Sequence, residues 1–180
     1  LLDGGETDDG QPWLVMEYIE GEVITDWVRR ARPDLPARLR TLVRVCRAVE
    51  HAHQRLVLHR DIKPGNVLVR ADGDPVLLDF GIGRELSDGT SNETATLAFT
   101  PAYAAPEQMT GRGLTTATDV FGLGALLYEV VSGESLTELR RDGAPLPPPS
   151  SSTRDAQLRG ALRGDLDRIT RQQVYMASLA

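Results

Sequence analysis

Four residues of this 180-residue sequence carry the side chains best suited to chemistry: Asp61, Lys63, Asn66 and Asp79. Asn66 and Asp79 offer the hard oxygen atoms that Mg²⁺ prefers, and one or two protein groups are enough where substrate phosphates supply the other ligands. Asp61 is then free to act as a base. The residue types and their order therefore predict a site that holds magnesium and phosphate groups.

Two apolar segments, residues 67–69 and 76–78, should hold these side chains in place. Each predicts a short strand, and the turn at residues 71–75 should join the two strands as a hairpin. Asn66 precedes the first strand and Asp79 follows the second. Both residues should therefore lie at outer ends of paired strands, where their side chains can meet over one metal ion.

A long amphipathic helix is expected just before the site, from Pro36 to about Arg55. Its apolar residues recur at three- and four-residue steps: Leu39, Leu42, Val43, Cys46, Val49, Ala52 and Leu56. Cys46 should then be a small buried residue, whereas Arg38 lies off this stripe and should be solvated. His53 and its neighbour His51 lack the i, i+4 spacing of a metal-binding pair, so ordinary helix packing or exposure is expected.

The second long helix is expected after the site, because residues 118–131 are apolar on nearly all faces and are followed by Gly133. Such a helix belongs in the core. Residues 145–152 are rich in proline and serine without periodicity, which predicts an extended, flexible connector. A last helix is plausible from Asp165 onward.

Three motifs stand in a familiar order along the chain. His59-Arg60-Asp61 followed by Asn66 resembles the catalytic loop of protein kinases, and Asp79-Phe80-Gly81 resembles their metal-binding motif. Ala105-Pro106-Glu107 completes the set. From about residue 11 to about residue 170 the chain resembles the large, C-terminal lobe of a protein kinase, and the segment from Thr100 to Gln108 is most similar to bacterial Ser/Thr kinases.

This resemblance implies an α+β fold, a mainly helical large lobe with short β-hairpins at the nucleotide cleft. It also implies phosphoryl transfer from ATP and Mg²⁺ to a serine or threonine hydroxyl of a protein substrate. Asp61 would orient and deprotonate that hydroxyl, Lys63 would reach the γ-phosphate, and Asn66 and Asp79 would hold Mg²⁺. Lys63 and Thr100, which precedes Pro101, resemble the catalytic residues of Ser/Thr rather than Tyr kinases.

The adenine site follows from the same resemblance. Met16 would be the gatekeeper, and the backbone of Glu17, Tyr18 and Ile19 would face the adenine edge. Leu68 would lie beneath the ring. A β-strand that leaves its sheet through a glycine turn would give the same local pattern, so the downstream motifs carry this interpretation.

The segment from residue 83 to residue 98 is polar and rich in small residues, which is typical of a mobile loop. The resemblance makes it an activation segment, with possible autophosphorylation within residues 87–96 and Thr94 and Thr96 as the better candidates. A phosphorylated hydroxyl there would supply an anion for Arg60. The resemblance further implies that Asp119 holds the backbone of the catalytic loop.

Lys63 is the only lysine in the sequence. The strand lysine that grips the α- and β-phosphates in this family, and a G-x-G-x-x-G loop, are therefore not among these residues. We expect the N-terminal lobe to be missing and the chain alone to have little or no activity. The expected organisation is a kinase-like large lobe over residues 1–140, a Pro/Ser-rich connector over 141–163 and a truncated C-terminal helix over 164–180.

Composition narrows the classes of partner. A formal net charge of −6 provides no general attraction to nucleic acid or to an anionic membrane, so no nucleic-acid partner is expected. No segment approaches the roughly eighteen consecutive apolar residues of a membrane span. The single cysteine fits a cytoplasmic location, although kinases of this group often carry a membrane anchor outside the catalytic domain.

Two other functional classes stay open. A non-catalytic, kinase-like docking or regulatory module would explain why the phosphate-gripping lysine is absent, but it would not require Asp61, Lys63, Asn66 and Asp79 together. A metal hydrolase built on His59 and the aspartates is disfavoured, because no second histidine lies at ligand spacing.

Overall fold

The computed structural model describes residues 2–78, 80, 100–110, 113–141 and 145–175, with side chains as far as residue 171. The strands among these residues are β1 (Asp3–Glu6), β2 (Pro12–Val15), β3 (Glu22–Val23), β4 (Val67–Val69) and β5 (Pro75–Leu77). The helices are α1 (Ile24–Ala31), α2 (Leu35–His53), α3 (Pro106–Thr110), α4 (Thr116–Ser132), α5 (Leu136–Leu139), α6 (Pro149–Ser152), α7 (Ala156–Leu162) and α8 (Asp165–Tyr175), with a 3₁₀ turn at Pro64–Asn66.

The central sheet is small and antiparallel, in the order β3-β4-β5. Leu68 in the middle strand lies opposite Val23 on one side and Val76 on the other. The predicted hairpin is thus confirmed, with its second strand beginning one residue earlier, at Pro75. A separate hairpin pairs β1 with β2, and Gly5 allows its backbone to lie under the Trp13 ring, 2.8 Å from where a Cβ would be.

Helix α2 begins at Leu35, one residue before the predicted Pro36, because the Asp34 side chain accepts a hydrogen bond from Ala37 N at 2.8 Å and Pro36 occupies the first turn. The buried apolar face, however, is only partly the predicted one, because Leu42, Val49 and Ala52 are buried as expected but Val45 lies on it in place of Val43, Cys46 and Leu56. Its apolar members are Leu42, Val45, Val49 and Ala52. Cys46 is exposed, and so is Val43, at 49 %. The prediction of a buried Cys46 is wrong because the core-facing stripe passes through Val45, one residue (about 100°) around the helix.

Arg38 lies on this buried stripe and is only 5 % exposed, so the expectation of a solvated side chain is wrong. Its guanidinium donates to Pro33 O at 2.9 Å and, from Nη1, to Val130 O at 3.0 Å and Val131 O at 3.2 Å. The carbonyl groups near the end of α4 have no partners within their own helix. Arg38 supplies those partners and joins α2 to α4, and its burial lowers the pKa of the guanidinium.

Helix α4 is the central helix, as the sequence predicts. Thr115 and Thr118 form a reciprocal capping box at its start, and Gly133 ends it in the left-handed conformation, with φ of 76°. Most of its side chains are buried, including those of Leu126, Val130 and Val131. The main apolar core joins it to α1, α2, β4 and α7 through Ile24, Val28, Leu42, Val45, Val49, Ile62, Val67, Val69, Leu126, Val130, Val131, Leu158 and Leu162.

The Pro/Ser-rich region is not an extended connector. Helices α6 and α7 form within residues 141–163, and Leu158 and Leu162 of α7 enter the core. Tyr128 of α4 donates its hydroxyl to Pro147 O at 2.8 Å, and Ser150 donates its backbone N and its hydroxyl to the Asp167 carboxylate at 2.9 and 2.7 Å. These contacts attach the region to the core. The expected last helix is present as α8.

Within the part of the chain that the structure describes, no helix combines the length and the apolar character that crossing a membrane requires.

Candidate active site

Three of the predicted site residues converge in the loop between α2 and β4. The Lys63 ammonium lies 2.8 Å from Asp61 Oδ2. The Asn66 side-chain amide donates from Nδ2 to Asp61 O at 2.7 Å and to Asp61 Oδ2 at 3.0 Å. One carboxylate oxygen therefore receives both a cation and an amide donor, which places the three side chains in a single polar cluster.

The local sequence explains this convergence. Pro64 begins a single 3₁₀ turn, Pro64–Asn66, closed by a hydrogen bond from Asn66 N to Lys63 O at 3.0 Å. Proline restricts φ to values compatible with such a turn and lacks the N–H that a strand would need. The turn reverses the chain, so that Asn66 returns to Asp61 before β4 begins.

The backbone on the other side of Asp61 is held by the core helix α4. Asp119, 1 % exposed, accepts the backbone N–H of His59 at 2.8 Å through Oδ2 and that of Arg60 at 2.7 Å through Oδ1. The predicted role of Asp119 is thus confirmed. Gly122, one turn further along α4, allows this close approach, because a Cβ there would lie 2.9 Å from the Cβ of Ile62.

Arg60, directly before Asp61, adopts a left-handed backbone conformation with φ of 67°. Such a conformation is unfavourable for a residue other than glycine and persists only where the surroundings impose it. Here Asp119 binds the Arg60 N–H, and the Gln108 side chain donates from Nε2 to Arg60 O at 2.7 Å. The backbone conformation of Arg60, and with it the orientation of Asp61, is therefore held by side chains from two separate helices, α4 and α3.

Two histidines support the loop. His53 Nε2 lies 2.7 Å from Asp119 Oδ2, a contact that the sequence pattern did not reveal. His59 is fully buried, its Nε2 lies 2.8 Å from Leu78 O, and its Nδ1 accepts from Asp61 N at 3.3 Å. These bonds fit the neutral tautomer with its proton on Nε2. The His59 ring also packs against Phe80, with 4.8 Å between ring centroids.

Of the two predicted magnesium ligands, the structure describes Asn66. Asp79 and Gly81 lie outside the described residues, so the meeting of Asn66 and Asp79 over one ion stays a prediction. Leu78, the residue before Asp79 in the sequence, donates its N–H to Asn66 O at 2.8 Å. Among the described residues, the Asn66 side chain makes both of its hydrogen bonds through Nδ2, so the amide oxygen, a hard donor of the kind Mg²⁺ prefers, could bind a metal ion.

Of the predicted adenine-binding residues, Leu68 lies in the middle strand of the central sheet, and Met16 to Ile19 lie between β2 and β3. Gly21 lies against the middle strand, and a Cβ there would be 3.3 Å from the Cβ of Leu68. The segment that contains Glu17, Tyr18 and Ile19 therefore enters the sheet beside Leu68. Tyr18 is 88 % exposed and Met16 is 48 % exposed. The roles of these five residues in binding adenine stay predictions.

Thr100 lines a narrow pocket together with Asp61, Gln108, Thr118 and neighbouring residues. Next to it, the Glu107 carboxylate accepts a hydrogen bond from the Thr118 hydroxyl at 2.6 Å, which links α3 to α4. Gln108 completes the pocket, and sequence reasoning missed it; the only available signal was a glutamine at the third position of a helix, where side chains often cap. The predicted phosphorylation segment, residues 87–96, lies outside the described residues.

A second polar cluster contains Tyr103, which also lines this pocket. The Tyr103 hydroxyl donates to Glu129 Oε1 at 2.8 Å, and Leu136 N donates to the same oxygen. Burial raises the pKa of the Glu129 carboxyl, and burial together with the Glu129 charge raises the pKa of the Tyr103 phenol. The cluster ties the segment after Thr100 to the central helix.

Comparison with known proteins agrees with this architecture. Residues 4–144 match the family model described as protein kinase domain. The chain is 38 % identical over 139 residues to a probable serine/threonine-protein kinase of Corynebacterium efficiens, covering 74 % of this chain and 21 % of that protein. It is also 38 % identical to the serine/threonine-protein kinase PknB of Mycobacterium leprae, covering 74 % and 22 %, and 40 % identical to PknK of Mycobacterium bovis, covering 79 % and 13 %.

The chain thus spans about a fifth of the length of the first two relatives. The match includes the loop that carries Asp61, Lys63 and Asn66 and the helix that carries Asp119. With a fold of mixed helix and sheet and with most of its length matched, this chain belongs to the protein kinase domain family.

Proposed function

We propose that the protein to which this chain belongs transfers the γ-phosphoryl group of ATP to serine or threonine hydroxyls of a protein substrate. The observation that carries the proposal is the cluster of Asp61, Lys63 and Asn66 around one carboxylate oxygen. Phosphoryl transfer requires positioning and charge neutralisation rather than covalent chemistry by the protein. These three residues supply a base, a cation and an oxygen ligand within a single loop.

Asp61 accepts the proton of the acceptor hydroxyl and orients that hydroxyl for in-line attack. Lys63 places a positive charge beside Asp61. This charge would neutralise the negative charge of a terminal phosphate bound there. Asn66 would hold Mg²⁺ through its amide oxygen, together with Asp79, and the ion would neutralise charge on the phosphates. Thr100, in the pocket next to Asp61, would contact the acceptor residue. Autophosphorylation within residues 87–96 is part of the proposal.

We further propose that residues 1–140 form the large lobe of this kinase and that Glu17 to Ile19, with Met16 and Leu68, receive the adenine. The position of Gly21 against Leu68 supports this. Because Lys63 is the only lysine of the chain, the lysine that binds the α- and β-phosphates in this family has to come from residues other than these. The chain by itself should therefore have little or no activity.

The experiment compares three preparations: the complete natural protein, the same protein with Asp61→Ala, and the 180-residue chain alone. Each is incubated with labelled ATP, Mg²⁺ and a generic protein substrate, and the modified residues are identified by mass spectrometry. The complete protein should form phosphoserine or phosphothreonine, and the other two should form little.

Phosphotransfer by the chain alone at rates typical of intact kinases would refute the expected inactivity. A complete protein that transfers no phosphate would refute the catalytic proposal and leave a kinase-like docking or regulatory module as the function.

A further inference from the structure

Gln108 makes two hydrogen bonds of different kinds from a buried position, 7 % exposed. It is the third residue of α3, and its Oε1 accepts the backbone N–H of Ala105, the residue before the helix, at 2.9 Å. This is one half of a capping box, a local bond that orders the start of the helix. It uses only the oxygen of the side-chain amide and leaves the NH₂ group free to bond elsewhere.

The NH₂ group bonds to the catalytic loop. Gln108 Nε2 donates to Arg60 O at 2.7 Å, across 48 residues of sequence. That carbonyl belongs to the peptide unit that joins Arg60 to Asp61, and the N–H of the same unit donates to His59 Nδ1 at 3.3 Å. Gln108 and His59 therefore hold the two ends of this peptide plane. Rotation of the plane would redirect the Asp61 side chain.

The conformation that these bonds hold is not one that the chain adopts without support, because Arg60 has a φ of 67°. Asp119 restrains the peptide unit on the N-terminal side of Arg60, and Gln108 restrains the unit on its C-terminal side. Gln108 also lines the pocket between Asp61 and Thr100. It thus connects the segment from Thr100 to Gln108 directly to the backbone of the proposed base.

We propose that Gln108 is a positioning residue for Asp61: its side-chain NH₂ group holds the Arg60–Asp61 peptide unit in the orientation that directs the Asp61 carboxylate toward the acceptor hydroxyl. The inference rests on the proposed kinase function. It predicts that the donor group of Gln108, and not only its size or its capping oxygen, is required for turnover.

The variant Gln108→Glu tests the two hydrogen bonds separately, because it keeps the bond with Ala105 N and removes the bond with Arg60 O. An ionised carboxylate at this position can still accept the Ala105 N–H, as glutamate does in capping boxes, but it has no proton to donate to Arg60 O. Gln108→Leu removes both bonds with a similar side-chain volume. Gln157, exposed in the first turn of α7, provides the matched control, and Gln157→Glu changes the charge in the same way without contact with the catalytic loop.

The test measures kcat, the KM for ATP and the unfolding temperature of the complete protein in all four forms, with a serine or threonine peptide as acceptor. We expect Gln108→Glu to lower kcat by roughly 10- to 100-fold, the range expected when a reacting group is misplaced, and to leave the KM for ATP within about twofold. Gln157→Glu should match the wild type. The proposal expects both Gln108 variants to lose turnover, whereas a capping role alone predicts Gln108→Glu close to the wild type and only Gln108→Leu impaired, and that result would overturn the proposal.

Hydrogen exchange of the same proteins gives a readout that does not depend on activity. Gln108→Glu should accelerate exchange in a peptide covering residues 59–66 and leave residues 102–108 protected, whereas Gln108→Leu should accelerate both. If the wild-type protein transfers no phosphate, the proposed function fails, but faster exchange in residues 59–66 still supports the positioning bond. Unchanged exchange there in Gln108→Glu overturns it. If Gln108→Glu does not fold, a normal kcat for Gln108→Leu overturns the inference.

Discussion

The Lys63 ammonium and the Asp61 carboxylate lie 2.8 Å apart, yet their side chains remain 26 % and 28 % exposed. An ion pair that is this accessible to water contributes little to stability, commonly below about 1 kcal/mol. The pair is therefore better explained by the chemistry that a solvent-accessible carboxylate and ammonium can carry out than by a contribution to the stability of the fold. A substitution of Asp61 can test whether this ion pair matters for turnover and not for the free energy of unfolding.

Asp61→Asn should lower kcat of the complete protein by roughly 10² to 10⁴-fold, because an amide cannot take the proton of the acceptor hydroxyl. Its free energy of unfolding should change by less than about 1 kcal/mol. Steady-state kinetics and urea unfolding measure the two quantities. Asp8→Asn, in the exposed loop between β1 and β2, is the control. A variant with normal turnover would remove Asp61 from its proposed role.

Asp119→Asn should lower both the free energy of unfolding and kcat of the complete protein. The asparagine side chain has one acceptor oxygen for two backbone N–H groups, those of His59 and Arg60, and it turns an NH₂ group toward a buried donor. An unsatisfied buried polar group costs roughly 1 to 3 kcal/mol. Urea unfolding should show a loss of this size, together with a lower kcat. Asp165→Asn, at an exposed helix start, should show neither; equal stability of the two variants would contradict the assigned role.

Arg38→Met should weaken the contact between α2 and α4. Methionine fills much of the volume but leaves the Val130 and Val131 carbonyls without the guanidinium that satisfies them. We expect a loss of roughly 1 to 3 kcal/mol in the free energy of unfolding, measured by urea denaturation. Arg40→Met, exposed on the same helix, should change it by less than about 0.5 kcal/mol. Similar losses at the two positions would show that Arg38 is not a structural arginine.

Glu129→Gln should change the pH dependence of stability. Because burial raises the pKa of Glu129 in the folded state above its ordinary value of 4.5, the folded protein binds this proton more tightly than the unfolded chain does. The stability that this group contributes is fully present below pH 4.5 and is lost as the pH rises through the higher, folded-state pKa.

Glutamine does not titrate, and its oxygen can still accept from Tyr103. The free energy of unfolding of Glu129→Gln relative to wild type should therefore increase with pH across this window, as measured by urea denaturation at a series of pH values. Exposed Glu50→Gln should show no comparable trend. A difference that stays constant with pH would contradict a raised pKa for Glu129.

Several features could be predicted because they depend on local sequence. The hairpin of β4 and β5 follows from two apolar segments separated by a turn, and α4 follows from its uninterrupted apolar composition between Thr115 and Gly133. The grouping of Asp61, Lys63 and Asn66 follows from a proline-initiated turn only a few residues long. In each case the determining interactions join residues close together in the chain.

Features that depend on distant packing were predicted wrongly or missed. Helix α2 has apolar residues on two adjacent stripes, and the packing of the core around it buries the stripe through Val45 and leaves Cys46 exposed. Because Arg38 is charged, the sequence predicts a surface position for it. Its burial is explained only by the carbonyls of Val130 and Val131, which accept hydrogen bonds from its guanidinium. Helices α6 and α7 lack a sequence period, and they are ordered by contacts such as that between Ser150 and Asp167.

The sequence by itself indicated the family, the proposed base Asp61 and the order of the candidate site residues, because residue types and motif spacing are properties of the chain before it folds. Only the tertiary structure decided that His53 and Gln108 also take part in holding this loop, whereas the resemblance had already implied the contact of Asp119. The bonds from Asp119, His53 and Gln108 to the catalytic loop or to each other connect residues 48 to 66 positions apart. Contacts at that separation depend on how the helices pack, and no local pattern specifies them.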